Sequence, residues 1–201
     1  MSPTTIAMQL KKTGLCICPD YLNQDVLFRL RQDCRLSQSR NDFHAAGIGQ
    51  GADRQVQTNI RNDTTLWWDR STGNTVQKQL WSQLDELQLA FNQNLFLGLD
   101  HFEGHYSIYP KGGFYQRHLD ARTTASSRQV TVVIYLNENW QVADKGQLRM
   151  HSGDQFQDIP PRGGTLVCFL SRESEHEVLI CEAERLSFTG WFVQQKTNAI
   201  M

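Results

Sequence analysis

With 201 residues the chain has room for one domain and a substantial core, since chains of this size bury about 70% of their unfolded surface. Twenty basic residues against 21 acidic ones leave a net charge of −1, which excludes the basic surface that phosphate backbones or anionic lipids require. No stretch approaches the roughly 20 apolar residues of a membrane span. The five cysteines, Cys16, Cys18, Cys34, Cys168 and Cys181, follow neither a disulfide framework nor a zinc spacing, and are expected to be ordinary half-buried thiols. With no leader-like pattern in Met1 to Thr13, a reduced, soluble, cytoplasmic protein is expected, with no nucleic-acid or membrane partner.

In chain order, Gly14 to Pro19 predicts a short strand with Leu15 and Ile17 on one face and Cys16 and Cys18 on the other. Asn23 then caps a helix whose stripe is Val26, Leu27, Leu30 and Cys34. Ser37 to Gly73, rich in Gly, Asn, Asp, Arg and Gln, is expected to be a mobile or functional loop region. It holds short strands around Ala45 to Ile48 and Val56 to Ile60, and the pair Trp67-Trp68, expected to serve loop packing more than substrate contact. Val76, Leu80, Leu84, Leu87, Phe91 and Leu95 recur at helical spacing and predict a long second helix. After Leu97, seven short β runs follow: His105 to Tyr109, Phe114 to Leu119, Gln129 to Leu136, Gly146 to His151, Gly164 to Leu170, His176 to Ile180 and Arg185 to Val193. The expected architecture is α+β, two helices leading into a β sandwich or barrel and buttressing one of its sheets.

Of six histidines, His118 carries the most information. His118-Leu119-Asp120 sets an imidazole and a carboxylate two residues apart, on one face of a strand. With a third ligand from another strand they would make the two-histidine, one-carboxylate face of non-haem Fe(II) sites, which leaves open positions. His176 opens a later strand and is the candidate third ligand. Nine residues further on stands Arg185, which shares a face with Ser187, Thr189 and Trp191. An arginine on an otherwise uncharged face needs an anion, and its planar fork matches a carboxylate. His101 and His105 are not expected to be ligands, because Gly104 and the following strand oppose a helix there. His151, beside a turn, is expected to be solvated. Tyr115 and Arg117 either reach a substrate channel or line the far face of their strand.

These residues resemble the prolyl-4-hydroxylase type of 2-oxoglutarate- and Fe(II)-dependent dioxygenases, particularly bacterial relatives of the hypoxia-inducible-factor prolyl hydroxylases. The resemblance covers about Tyr106 to Phe192 and rests on ordered motifs: Tyr109 to Asp120, Val130 to Asn137, Gly146 to Arg149, Glu175 to Val178 and Arg185 to Trp191. Upstream, Arg61-Asn62-Asp63 is similar to the family's Arg-Gly-Asp segment, with asparagine in place of glycine.

The resemblance implies a double-stranded β-helix, or jelly roll, with supporting N-terminal helices. It implies one domain over 1–201, with helical support and a substrate-facing loop in 1–100 and the catalytic β core in 101–195. It assigns Fe(II) to His118, Asp120 and His176, and the distal carboxylate of 2-oxoglutarate to Arg185 and Tyr135. Tyr109 falls nearer the iron, and Thr189 and Trp191 line the cosubstrate pocket. Charge balances on that assignment, because Fe(II) with one aspartate leaves one positive charge, 2-oxoglutarate brings two negative ones, and Arg185 restores neutrality. The implied activity is 4-hydroxylation of a prolyl residue in a protein or peptide, using dioxygen, with ascorbate as reductant, and release of succinate and CO2. A hydroxylase of a free amino acid or other small molecule, and a cupin-like metal-binding or sensing module, are the competing readings. Arg185 weighs against the last, since a metal binder needs no anion receptor there.

Overall fold

The computed structural model describes residues 1–48, 55–121 and 126–194. Helix α1 (Pro3–Thr13) starts from Ser2, whose hydroxyl accepts from the Thr5 amide, and ends at Gly14 in the left-handed conformation. Sequence periodicity alone gives little sign of it, since Ile6, Ala7 and Leu10 are the whole of its buried face. Strand β1 (Leu15–Cys18) follows, with both cysteines buried. Helix α2 (Gln24–Ser39) is capped by Asn23 and buries Val26, Leu27, Leu30 and Cys34, as its stripe predicts.

The expected loop region is more ordered than its composition implies. Strand β2 (His44–Ala45) pairs with β3 (Thr64–Trp67), and β3 joins the main sheet, whereas Val56 to Ile60 forms a turn and not a strand. Residues 49–54 of this segment lie outside the described residues. Helix α3 (Thr75–Leu95) has a capping box from Asn74 and Gln77 and buries Val76, Leu80, Leu84, Leu87 and Phe91.

The remaining strands are β4 (Leu99–Tyr109), β5 (Tyr115–His118), β6 (Arg128–Tyr135), β7 (Leu148–Ser152), β8 (Gln155–Ile159), β9 (Leu166–Leu170), β10 (His176–Val178) and β11 (Arg185–Gln194). Sequence analysis does not anticipate β8, which is exposed until Ile159 and is held as a hairpin partner of β7. Two antiparallel sheets result, in the orders β1-β9-β6-β11-β4-β3-β2 and β5-β10-β7-β8.

Period-two alternation divides the major sheet. Phe102, Tyr106, Ile108, Val130, Val132, Ile134, Phe188 and Phe192 join the three helices in one apolar core. Gly104 and Gly190 face each other within that layer, where a Cβ on Gly104 would come within 2.7 Å of the Phe188 ring. The opposite face carries His105, Ser107 and Tyr109 on β4, and Arg185, Ser187, Thr189 and Trp191 on β11. It closes against the minor sheet around Val133, Tyr135, Leu148, Met150, Val167 and Phe169. Two facing antiparallel sheets of this kind, with helices backing one of them, make a double-stranded β-helix. Among the described residues no helix is long and apolar enough to cross a membrane.

Candidate active site

Between the sheets lies a cavity of about 1020 Å³. Its wall includes His118, Asp120, His176, Arg185, Tyr109, Thr189 and Trp191, all singled out from sequence. His118 ends β5 and His176 begins β10, and the two are register partners across that strand pair. Asp120 sits just beyond β5 and not on it, so its orientation comes from a tertiary contact instead of strand alternation. Its carboxylate reaches both imidazoles, Oδ1 lying 3.6 Å from His118 Nε2 and Oδ2 lying 3.6 Å from His176 Nε2. One ligand atom from each of the three residues falls within 4.8 Å of the others.

Each histidine is fixed in the same way. His118 Nδ1 lies 2.7 Å from the Gln116 carbonyl and His176 Nδ1 lies 2.9 Å from the Ser174 carbonyl. A carbonyl only accepts, so each Nδ1 carries a proton, and each Nε2 is the ring nitrogen left to face Asp120. Burial, reinforced by the neighbouring His118, lowers the His176 pKa to about 4. Burial pushes the Asp120 carboxyl up, but His176, His118 and the Thr131 hydroxyl outweigh it and hold the carboxyl well below its usual range. Two buried imidazoles and one carboxylate, whose side chain is 8% exposed, form a donor set suited to a divalent first-row metal.

Arg185 opens β11 at 3% exposure. Its Nε donates to the Gly146 carbonyl and its Nη1 to Ser187 Oγ, and among the described residues it makes no ion pair. Tyr109 and Tyr135 flank the guanidinium, their rings 5.0 and 5.1 Å from its central carbon. The Tyr135 hydroxyl is buried without a hydrogen-bond partner among the described residues, and burial raises its pKa to about 12 against the charge of Arg185. A buried cation without a counter-ion, next to an orphaned hydroxyl donor, suits an anionic ligand. A dicarboxylate with one end at the histidines and the other at Arg185 meets both needs.

Several neighbours differ from expectation. Trp67 belongs to β3 and lines the cavity at 47% exposure, stacked on Trp191, whereas Trp68 turns the other way against Tyr106 and Phe188. His151 is not solvated, because its Nε2 lies 3.0 Å from Glu177 Oε1 across β7 and β10. All five cysteines are free and fully buried, more deeply than expected. His101 and His105 both line the cavity but contribute nothing to the His118–Asp120–His176 cluster. Tyr115 stacks flat on the His118 ring and carries Arg61 on its other face, while Arg117 pairs with Glu175. Arg61 also forms a two-pronged ion pair with buried Asp63, and Asn62 Oδ1 accepts from the Phe114 amide. The Arg61-Asn62-Asp63 segment thereby braces the strand that carries His118. No sequence motif marks Thr131 and Ser171, behind Asp120, because a hydroxyl inside apolar β6 and another just past β9 carry no spacing signal.

Residues 104–193 match the model of the 2OG-Fe(II) oxygenase superfamily. A prolyl-4-hydroxylase structure from Pseudomonas putida is 39% identical, with a TM-score of 0.88 over 96% of this chain and 99% of that one. A prolyl hydroxylase from Trichoplax adhaerens, solved with a fragment of the hypoxia-inducible-factor oxygen degradation domain, is 30% identical, with a TM-score of 0.84 over 96% and 89%. The hypoxia-inducible factor prolyl hydroxylase of Caenorhabditis elegans is 32% identical over 68% of this chain, which spans only 20% of that relative's length. Fold and site together define an oxygenase of the iron and 2-oxoglutarate class. The chain belongs to the 2OG-Fe(II) oxygenase superfamily, and within it to the prolyl-4-hydroxylase type.

Proposed function

We propose that the chain is a dioxygenase that 4-hydroxylates a prolyl residue in a protein or peptide, converting 2-oxoglutarate and dioxygen to succinate and CO2. In this reading His118, Asp120 and His176 hold Fe(II), while Arg185 and Tyr135 receive the distal carboxylate of 2-oxoglutarate. Bound iron and cosubstrate supply the oxidising chemistry, with ascorbate as reductant, and the protein orients and shields them. Tyr109, Thr189 and Trp191 shape the cosubstrate end of the cavity. The observation that carries the reading is the pairing of the His118–Asp120–His176 cluster with a buried arginine that has no carboxylate partner among the described residues. We propose further that 1–201 acts as one catalytic unit in a reducing cytoplasm, where five free buried thiols are stable.

The cavity wall favours a peptide over a small molecule, since Trp67 presents a half-exposed aromatic face beside Trp191 and the β2–β3 segment contributes Ala46 and Ile48 to the lining. The test is succinate formation from 2-oxoglutarate with Fe(II), ascorbate and a proline-containing peptide. Turnover is expected with the native chain and not with Asp120→Ala. Equal succinate from both would rule out the oxygenase assignment.

A further inference from the structure

Asp120 presents two equivalent oxygens to two histidines, each at 3.6 Å, so the triad by itself does not determine which of them binds a metal. The residues behind it break the symmetry. Thr131 Oγ1 lies 2.7 Å from Asp120 Oδ2, and Ser171 Oγ lies 2.9 Å from Thr131 Oγ1. A hydroxyl has one proton, so with Thr131 donating to the carboxylate the Ser171 hydroxyl must donate to Thr131. The direction is therefore fixed from Ser171 through Thr131 to Asp120. Thr131 is 1% exposed and Ser171 is fully buried, so bulk water has almost no access to compete.

Both hydroxyls are anchored by the backbone. Ser171 donates its amide to Gln129 and accepts at its carbonyl from Ala121, the residue after Asp120. Thr131 lies in β6, in register with Trp191 on one side and Phe169 on the other, and Phe169 packs against His176. The relay thus joins the aspartate to the same framework that places the second histidine.

We propose that Thr131, oriented by Ser171, holds Asp120 Oδ2 away from the metal, so that Asp120 binds through Oδ1 alone. This rests on the triad being the metal site. Its consequence is the number of open positions, because a carboxylate that chelates through both oxygens takes up one that dioxygen would need once 2-oxoglutarate is bound. Thr131 and Ser171 act through Asp120 and are positioning residues.

The test uses the full chain, with Thr131→Val to remove the hydroxyl at constant shape and Thr131→Ser to restore it. Nitric oxide, a spectroscopic stand-in for dioxygen, is expected to give a strong nitrosyl signal with the native Fe(II)–2-oxoglutarate complex, a weakened one in Thr131→Val at saturating metal and a restored one in Thr131→Ser. Mn(II) binding, read from the resonance of the free ion, is expected to be kept in Thr131→Val, since a freed Oδ2 adds a donor to the metal and removes none. Should the valine variant fail to fold, Ser171→Ala is expected to weaken the nitrosyl signal by a smaller factor. A native-like nitrosyl signal in the folded valine variant, or loss of its Mn(II) binding, overturns the proposal. Asp120→Ala separates the two claims, since retained Mn(II) binding there would instead refute the metal site itself.

Discussion

Arg185 is the residue on which the cosubstrate assignment turns. Its guanidinium is buried, donates to Gly146 and Ser187, and is set between two tyrosine rings. Removing one member of a buried, hydrogen-bonded charge pair costs about 2–5 kcal/mol, so Arg185→Ala should weaken 2-oxoglutarate binding by about 30-fold or more. Mn(II) binding without cosubstrate should be unchanged. Calorimetric titration of both ligands checks the split, and equal weakening of both would show that Arg185 serves the whole site. His105, on the same wall, gives a pH signature. Burial, helped by the charge of Arg61, lowers its pKa to about 3, against about 6.5 in an unfolded chain. As pH falls below that unfolded value the unfolded chain takes up a proton that the folded one refuses, and stability is lost steadily down toward pH 3. The metal-free His105→Leu variant should therefore lose about 2 kcal/mol less than the native chain between pH 7 and 5, as read by urea unfolding. Identical losses would mean that His105 is protonated equally in both states.

At the scale of elements, β3 shows how adjacent residues divide between stability and function. Trp68 packs against Tyr106, Phe188 and Trp81, so Trp68→Ala should cost about 3–5 kcal/mol, whereas half-exposed Trp67 should cost little when truncated but weaken binding of a prolyl peptide. Thermal melts and peptide titrations separate the two effects, and matched melting temperatures for both variants would contradict the division. From sequence, Trp67-Trp68 reads as a loop pair expected to serve packing more than substrate contact, because the strand that ends at Trp67 is short and set in polar surroundings. Elements with their own periodicity were legible: the stripes of α2 and α3 and the alternation of β11 match the structure closely. Elements stabilised by partners were not. Helix α1 buries few residues, β8 depends on β7, and β3 depends on β4. The same divide runs through the site. His118 and His176 stand at strand ends that their sequence marks, while Asp120 lies off the strand and is held by Thr131 and Ser171, whose contact no linear spacing reveals.

Across the whole molecule, the helices and the outer face of the major sheet share one apolar core, which leaves the inner face free to carry polar side chains. That division lets a nearly neutral chain gather three donor groups and buried Arg185, which has no ion pair among the described residues, around one cavity. The site's charges fit a metal and a dicarboxylate, and Trp67 stacked on Trp191 gives its wall an aromatic face. The most direct measurement is mass spectrometry of a cell lysate treated with the enzyme, Fe(II), ascorbate and 2-oxoglutarate. A gain of about 16 Da, one oxygen atom, is expected on prolyl residues of intact proteins, absent with Asp120→Ala and absent from free proline. Oxygen added to free amino acids, or to protein residues other than proline, would contradict the account.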